Sequence, residues 1–207
     1  FQVGLGEPTI PFLGWGTSFI DYDNDAWLDL FVVNGHVYPE VERLTTEAGY
    51  AQRKVLYHNL RNGRFADVSD KAGEAVTKPN ASRGAAFGDY DNDGDVDLLV
   101  ADLDGPPQLL RNDGGHANNS ILIKTVGVKS NRSAIGAEVL IESGDLTQRR
   151  VVDGGSGFAS QNDRRPHFGL GAREWVDRVI IEWPSGERQI LTRPPIDRIV
   201  TVTEPER

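Results

Sequence analysis

The sequence predicts an all-β protein, and three observations carry that prediction. The 207 residues include 23 Gly and 11 Pro and are 38% hydrophobic, which is typical of a globular, turn-rich β protein. Short apolar runs rich in β-branched residues, such as residues 28–33 and 96–101, are closed by turn residues. Both runs lie in segments that repeat with a shift of 68 residues. A fixed repeat of short strands indicates blades of the β-propeller type.

The repeat defines the organisation of the first half of the chain. Residues 15–33 align with residues 83–100, and every Asp of the first copy has an Asp counterpart in the second. We predict two blades, at about residues 12–70 and 80–115, within a repeat region of residues 1–115. Because a propeller ring needs four to eight blades, the open strand edges must meet further blades, the second domain or a neighbouring chain.

Each blade is expected to contain up to four short strands. In the first, residues 55–60 and 64–69 add two strands around an Arg-Asn-Gly turn. In the second, residues 108–112 add one strand, and no fourth strand is recognisable.

Three connecting segments carry further expectations. Residues 1–11 hold one candidate strand, and residues 38–54 read as a polar surface loop with a short helix. Residues 69–73 are expected to form one helical turn with Ser69 as its cap.

Each blade contains one acidic loop between its first two strands. The first acidic loop, residues 21–29, reads DYDNDAWLD, and the second, residues 89–97, reads DYDNDGDVD. Asp residues at loop positions 1, 3, 5 and 9 would repel one another strongly around an empty centre. Ca²⁺ takes six to eight oxygen ligands at about 2.3–2.6 Å, and alternate short Asp side chains in a tight turn can converge on it.

We therefore predict two Ca²⁺ sites, with the carbonyl oxygen of position 7 as a backbone ligand in each. The alternative is a pair of solvated, metal-free turns, which two copies in the same context make less favourable. The predicted ligands are Asp21, Asp23, Asp25, Trp27 and Asp29 in the first acidic loop, and Asp89, Asp91, Asp93, Asp95 and Asp97 in the second.

Position 6 of the loop distinguishes the two predicted sites. Gly94 allows a sharp turn in the second loop, whereas Ala26 replaces glycine in the first. A non-Gly residue in a left-handed conformation costs on the order of 1 kcal/mol, so weaker Ca²⁺ affinity is expected in the first loop.

An EF-hand is excluded by two features. The twelfth loop residue of an EF-hand is a bidentate Glu, but Val32 and Val100 occupy that position here. The flanking runs are also predicted strands rather than helices.

The charge of −9 is concentrated in the repeat region. Residues 1–115 hold 19 acidic against 9 basic residues, whereas residues 116–207 hold 12 against 13. This acidity argues against a nucleic-acid partner.

No apolar run reaches about 18 residues, so no membrane span is predicted. Cys and Met are both absent, which excludes disulfides and leads us to expect a processed or excised piece whose signal peptide has been lost.

The carboxy-terminal region, residues 116–207, predicts a small antiparallel β-domain of sandwich or barrel type. Glycine-rich residues 153–160 are expected to be a structural turn or close backbone approach, with a binding loop as the alternative. The predicted strands are residues 121–128, 137–142, 148–152, 178–182, 187–191 and 199–202.

No catalytic motif is recognised. Ser156 lies in GGSGF, which is not a nucleophile elbow. Asp102 and Asp104 are expected to cap a turn, with a metal role as the alternative. The histidines, expected to be structural or exposed, are His36, His58, His116 and His167. The arginines expected to be solvated, with an anionic glycan as the alternative ligand, are Arg149, Arg150, Arg164 and Arg165.

These motifs resemble known families. The two repeat units, FIDYDNDAWLDLFVVNGH and AAFGDYDNDGDVDLLVADLDGPPQLLRNDGG, resemble FG-GAP or VCBS repeats of integrin-type propellers. The carboxy-terminal region resembles the ASPIC/UnbV domain that follows such repeats, on KSNRSAIGAEV (129–139), HFGLG (167–171) and VIIEWPSGERQ (179–189). The resemblance implies calcium-stabilised blades and a secreted or cell-surface setting.

Two functions follow as hypotheses. The first is a non-enzymatic extracellular Ca²⁺-binding module for adhesion, protein–protein interaction or surface assembly, with protein partners or self-assembly and a glycan as an open alternative. The second is a non-catalytic fragment of a carbohydrate-active or glycan-binding enzyme.

Overall fold

The computed structural model describes residues 2–44 and 48–206, and it confirms the all-β prediction. Within these residues the strands form four sheets, and the helices are short. The strands are β1 (Gly14–Ile20), β2 (Asp29–Asn34), β3 (Val55–Asn59), β4 (Phe65–Asp67), β5 (Ser82–Gly88), β6 (Asp97–Asp102), β7 (Gln108–Leu110), β8 (Asn119–Val126), β9 (Glu138–Ser143), β10 (Leu146–Val151), β11 (His167–Gly171), β12 (Arg178–Glu182), β13 (Arg188–Thr192) and β14 (Ile199–Thr203). The helices are α1 (Glu74–Thr77) and the 3-10 turns Pro39–Arg43, Ser69–Lys71 and Gly115–Ala117.

The sequence repeat is also a structural repeat. Strands β1 to β4 form the first sheet in chain order, and β5 to β7 form the second, with all neighbours antiparallel. The shift of 68 residues superimposes the pairing register, because Ile20 pairs with Asp29 as Gly88 pairs with Asp97. Each acidic loop therefore joins the two strands that the sequence predicts. In the described residues the second sheet has three strands, and the number of blades stays a prediction.

The first and second sheets pack face to face through alternate residues. Phe31 is 2% exposed and Phe87 is 4% exposed, and their rings meet at a steep angle with centroids 6.0 Å apart. Each buried side chain of this size stabilises the fold by about 1.5–3 kcal/mol. The remaining buried members of this core are Ile20, Val33, Leu56, Val76, Ala85, Val96, Leu98, Val100 and Leu110. The two acidic loops are thus supported by one shared apolar core.

The carboxy-terminal region forms a two-layer sandwich. The third sheet has the order β10-β9-β12-β13, and the fourth has the order β11-β8-β14. Apolar side chains from both sheets, including Ile141, Ile181, Ile121 and Phe168, meet in a second buried core. The division of the chain at residue 115 stays a prediction, and the fourth sheet begins at Asn119.

The sandwich differs from its prediction in two respects. Strand β11 was not predicted, because its Gly169 and Gly171 weaken the β pattern of HFGLG. The prediction of a wholly antiparallel domain was wrong for one pair, since β14 runs parallel to β8. The chain leaves β13 in the third sheet and crosses to the fourth, and such a crossover allows the returning strand to be parallel.

A connecting loop, residues 152–166, extends from the sandwich to the repeat sheets. The backbone N–H of Asp163 donates to the carbonyl oxygen of Phe87 at 2.8 Å. The side chain of Asn162 accepts from the N–H of Phe87 at 3.1 Å and donates to the hydroxyl of Ser18 at 3.3 Å. The free edge of β5 is therefore covered by the carboxy-terminal region, which is one of the expected solutions to an open strand edge. Gly157 has φ +80°, a backbone conformation that favours glycine, which agrees with the structural turn expected for residues 153–160.

Two predictions for the connecting segments were wrong. Residues 2–11 form turns rather than a strand. Ser69 is the first residue of its 3-10 turn rather than its cap. Its hydroxyl donates to Asp67 at 2.5 Å and accepts the N–H of Leu56 at 3.0 Å, so it ties the turn to β3.

The segment 38–54 begins with the expected short helix, but it does not remain on the surface. Lys54 is fully buried, and its ammonium group donates to the carbonyl oxygen of Ala75 and the side-chain oxygens of Asn80 and Gln108. Burial lowers the pKa of Lys54. Residues 45–47 of this segment lie outside the described residues.

Candidate metal centres

The two acidic loops adopt the same internal hydrogen bonding at position 1. In the first loop, the carboxylate of Asp21 accepts the N–H groups of Asp25 and Ala26, both at 2.9 Å. In the second, Asp89 accepts the N–H groups of Asp93 and Gly94, both at 3.1 Å. The backbone of each loop therefore turns around the carboxylate at position 1. This turn brings alternate side chains close together.

Position 6 has a left-handed backbone in both loops. Ala26 has a φ of +77° and Gly94 has a φ of +97°. Glycine adopts this conformation without a steric penalty, whereas alanine does not. The structure thus places the strain where the sequence predicts it.

Position 9 of each loop carries a buried carboxylate at the start of the second strand of its sheet. Asp29 is fully buried and accepts the N–H of Asn59 at 2.7 Å. Asp97 is 1% exposed and accepts the N–H of Asn112 at 2.8 Å. These bonds join the first acidic loop to the end of β3 and the second to the segment that follows β7.

The structure brings several predicted ligands together in each loop. The carboxylates of Asp89, Asp91 and Asp97 offer oxygen atoms within 4.8 Å of one another. In the first loop, Asp21, Asp23 and Asp25 offer oxygen atoms within the same distance of one another. Asp23, Asp29 and His58 form a second group of this kind.

Other predicted ligands have different contacts. Asp25 accepts from the guanidinium of Arg61 at 2.5 Å, so its charge is already compensated. Asp93 is exposed and accepts the N–H of Asp95 at 2.9 Å. Asp95 is buried and accepts from the amide of Asn24, whereas Trp27 is 45% exposed at the loop surface.

The geometry of these groups fits a calcium ion. Two oxygen atoms that share one Ca²⁺ at about 2.3–2.6 Å lie no more than roughly 5 Å apart. The oxygen Oδ1 of Asp23 is buried without a hydrogen-bond partner, which leaves a lone pair for a cation. When bound, Ca²⁺ would supply the positive charge that these carboxylates otherwise lack.

The pKa values of several loop carboxylates are raised above their ordinary range. Burial, with repulsion from Asp25, raises the pKa of Asp21 to about 8. Burial raises the pKa of Asp29 to about 7. It also raises the pKa of Asp89 and Asp97. Ionising all these groups without a cation is therefore unfavourable, and a divalent ion would favour their charged forms.

Both acidic loops lie against the sandwich. The carbonyl oxygen of Gly94 accepts from the hydroxyl of Ser120 at 3.2 Å and lies 3.1 Å from Nε2 of His167. Burial lowers the pKa of His167 to about 4, so the neutral imidazole donates this bond at neutral pH. In the first loop, the carbonyl oxygen of Asn24 accepts the N–H of Gly171 at 2.8 Å. The loops therefore form the junction between the repeat sheets and the sandwich.

Glycine in β11 is needed for this junction. A Cβ at Gly169 would lie 2.1 Å from Oδ2 of Asp21 and 2.7 Å from the backbone of Asn24. The strand can approach the first acidic loop only without a side chain at that position. This steric requirement explains the HFGLG motif, which the sequence alone did not.

The arginines are less solvated than expected. Arg165 donates to Asp163, to the carbonyl oxygen of Asp89 at 2.5 Å and to Asn92 at 2.6 Å. Arg150 lies over the ring of Phe168 at 5.3 Å, and burial lowers its pKa. The solvated interpretation was therefore wrong for these two, because both are enclosed between the sandwich and the repeat sheets.

The remaining candidates have structural contacts. Asp102 accepts from Ser82 at 2.7 Å and from Gln108, and Asp104 accepts from the hydroxyl of Tyr50 at 2.6 Å. Arg149 forms an exposed ion pair with Glu138, and Arg164 donates to Ser133. His36 bonds its neighbour Tyr38, and the side chain of His116 lies outside the described residues.

Sequence reasoning missed the residues that surround the loops. Arg61, His58 and Arg165 each contact an acidic loop from outside the repeated loop sequence. Asn24 lies inside the first loop and contacts the second. Of the three outside the loops, the sequence places only His58 in a segment matched between the repeats. It precedes the Asn of VLYHN, and the second repeat has LLRN at the corresponding positions.

Comparisons with known proteins agree with this architecture. An FG-GAP-like repeat model matches residues 21–100, and an ASPIC and UnbV model matches residues 127–207. Cartilage acidic protein 1 of Mus musculus is 27% identical over 173 residues, which are 81% of this chain and 25% of that protein. Cartilage acidic protein 1 of Homo sapiens is 27% identical over 173 residues, and that of Xenopus tropicalis is 28% identical over 180 residues.

These matches cover 81% and 84% of this chain, and 24% and 25% of the human and frog proteins. The chain thus spans about a quarter of the length of the relatives it matches. No helix in the described residues has the length and apolar character needed to cross a membrane. The chain is therefore similar to FG-GAP-like repeats over residues 21–100 and to an ASPIC and UnbV domain over residues 127–207, the combination that its motifs predict.

Proposed function

We propose that this chain is a non-enzymatic extracellular module in which two bound Ca²⁺ ions hold the repeat sheets and the sandwich in one arrangement. The observation that carries the proposal is the position of both acidic loops at the junction. The carbonyl oxygens of Asn24 and Gly94 accept bonds from the sandwich, and both residues lie inside the loops. An ion that fixes the loops therefore also fixes the surface on which the sandwich rests.

The proposed ligands are the carboxylates at positions 1, 3 and 9 of each loop, with the carbonyl oxygens of Trp27 and Asp95 at position 7. Asp25 and Asp93 are proposed as weaker contributors, because each has a competing contact. The extracellular assignment is supported by the similarity to cartilage acidic protein 1.

Isothermal titration calorimetry tests the calcium proposal. We expect two Ca²⁺ per chain for the unaltered protein and one for each of the variants Asp21→Asn and Asp89→Asn. Arg188→Ala, which breaks an exposed ion pair with Glu182 away from the loops, is the control and should bind two. A protein that binds no Ca²⁺ would contradict the proposal.

An exposed apolar face supports the proposed role in protein contact. Leu99 is 51% exposed and Leu109 is 50% exposed on the outer face of the second sheet. Leu99 is the repeat counterpart of Phe31, which is buried against the second sheet. We propose that another sheet of the same kind covers this face. Sedimentation equilibrium should show self-association that Leu99→Glu removes, and a strictly monomeric protein at high concentration would contradict self-assembly.

The glycan-related alternative makes a different prediction. A non-catalytic fragment of a carbohydrate-active or glycan-binding enzyme would bind polysaccharides, whereas the proposed module binds protein. Screening polysaccharide binding with and without EGTA separates the two, and saturable binding to this chain would favour the alternative.

A further inference from the structure

We propose that the first acidic loop binds a first-row transition ion such as Zn²⁺ through Nδ1 of His58 and the carboxylates of Asp23 and Asp29. This inference rests on the proposed function, because it assigns a metal preference to one of the two proposed sites. The second acidic loop would remain a Ca²⁺ site. The two loops would then respond to different ions.

The three side chains converge on one point. Nδ1 of His58 lies 3.1 Å from Oδ1 of Asp29 and 3.7 Å from Oδ2 of Asp23. Ligand atoms on a tetrahedral Zn²⁺, at about 2.0–2.2 Å from the ion, are roughly 3.3–3.6 Å apart. The spacing of the three side chains therefore matches a small ion with mixed nitrogen and oxygen ligands.

Two polar atoms of these side chains lack a hydrogen-bond partner. Nδ1 of His58 and Oδ1 of Asp23 are both buried without one, whereas Oδ1 of Asp29 accepts the N–H of Asn59 at 2.7 Å. Buried polar atoms in native proteins are almost always hydrogen-bonded, and an ion is one of the few explanations for an exception. The short separation of His58 and Asp29 is thus not accompanied by a well-directed hydrogen bond.

The second loop provides an internal comparison. The N–H of Asn59 bonds Asp29 as the N–H of Asn112 bonds Asp97, so Arg111 is the counterpart of His58. Arg111 cannot bind a cation, and its guanidinium pairs with Asp113 at 2.7 Å. The second loop therefore offers oxygen ligands alone.

The charge of the first loop also differs. Asp25 is paired with Arg61, which removes one carboxylate charge from the set available to a hard cation. Imidazole nitrogen suits Zn²⁺ and related ions, whereas all-oxygen sites suit Ca²⁺. Both differences weaken the preference of the first loop for Ca²⁺ and strengthen its preference for a transition ion. Because Asp23 and Asp29 belong to both proposed ligand sets, Zn²⁺ and Ca²⁺ should compete for the first loop.

Calorimetric titration of Zn²⁺ into the calcium-saturated protein tests the inference. We expect one Zn²⁺ per chain, displacing one Ca²⁺, and at least about tenfold weaker Zn²⁺ binding in His58→Arg, which gives the first loop the residue of the second. His36→Gln is the control, because the side chain of His36 bonds Tyr38 rather than the first loop, and it should bind Zn²⁺ as the unaltered protein does. Equal Zn²⁺ affinity in His58→Arg would overturn the inference.

A second measurement needs no variant. Mn²⁺ bound to the unaltered protein should show electron-spin-echo modulation from one directly coordinated imidazole nitrogen, and its absence would overturn the inference. If Ca²⁺ binds at two sites and Zn²⁺ at none, the inference fails and the proposed function stands. If neither ion binds, both fail.

Discussion

The side-chain amide of Asn24 in the first acidic loop donates to Oδ1 of Asp95 in the second at 3.2 Å. The same amide lies 3.3 Å from the carbonyl oxygen of Gly94. Both Asn24 and Asp95 are buried, so this contact joins the two loops away from solvent. The loops thus behave as one structural unit rather than as two separate surface turns.

Asn24→Ala should destabilise the calcium-loaded protein by about 1–3 kcal/mol, because the buried carboxylate of Asp95 loses a donor. Urea unfolding in saturating Ca²⁺ measures this loss. Arg188→Ala serves as the control, since its ion pair with Glu182 is exposed and should contribute less than about 1 kcal/mol. Equal unfolding midpoints for Asn24→Ala and the unaltered protein would show that the loops are not coupled through this contact.

Ala26→Gly should tighten Ca²⁺ binding at the first loop about fivefold. The left-handed backbone at Ala26 costs on the order of 1 kcal/mol, and we expect the ion-free loop to relax out of it, so the strain is incurred on binding. Gly94→Ala is the reverse change and should weaken the second loop by at least as much, since its Cβ would lie 3.1 Å from the hydroxyl of Ser120. Two-site calorimetry distinguishes the effects. Tighter first-loop than second-loop binding in the unaltered protein would contradict this explanation.

Without Ca²⁺, stability should fall as the pH rises from about 5 to 8. The pKa of Asp21 is raised from 3.8 to about 8 and that of Asp29 to about 7, so their protonated forms favour the folded state. That stability is complete below pH 3.8 and is lost as pH rises through the raised values. Bound Ca²⁺ should remove the dependence. Melting temperatures measured across this pH range in EGTA and in Ca²⁺ provide the test, and a melting temperature in EGTA that rises with pH would disagree.

Ionised Glu204 should stabilise the sandwich, and this stabilisation should be lost in acid. Burial opposes its ionisation, but hydrogen bonds from Ser185, Ser130 and the N–H of Val128 outweigh burial and lower its pKa from 4.5 to about 2. The resulting stability is complete above pH 4.5 and is lost as pH falls towards 2. Glu204→Gln should lose this part of the acid dependence in unfolding experiments. If the pH dependence of unfolding between pH 4.5 and 2 is the same in Glu204→Gln as in the unaltered protein, this role of Glu204 is contradicted.

Asn162→Ala should loosen the connecting loop from β5. The N–H of Phe87 would lose its acceptor, which costs about 1–3 kcal/mol when the donor is buried. Limited proteolysis should then cleave within residues 152–166 faster than in Gln161→Ala, a matched change at an exposed neighbour. Equal cleavage of the two variants would indicate that the loop is held by other contacts.

Local patterns were sufficient to predict the fold class, the repeat and most strands. The β2 and β6 runs are apolar and β-branched, and the acidic loops precede them at fixed spacing, so short-range sequence carries this information. The register of Ile20 with Asp29 follows from the same repeat.

Long-range contacts could not be predicted in this way. Gly169 is explained only by Asp21, which lies far away in sequence, and Arg165 reaches the second acidic loop from the sandwich. His58 reaches the first loop from β3. Each depends on how sheets pack on one another, and neither composition nor periodicity contains that arrangement. The parallel pairing of β14 with β8 belongs to the same class.

Thermal unfolding with and without calcium tests the central claim most directly. At a Ca²⁺ concentration 100 times the dissociation constant, each site should contribute about 2.7 kcal/mol, and two sites should raise the melting temperature by at least about 10 °C over the EGTA-treated protein. The shift should be smaller in Asp89→Asn. Equal melting temperatures in Ca²⁺ and in EGTA would contradict the account.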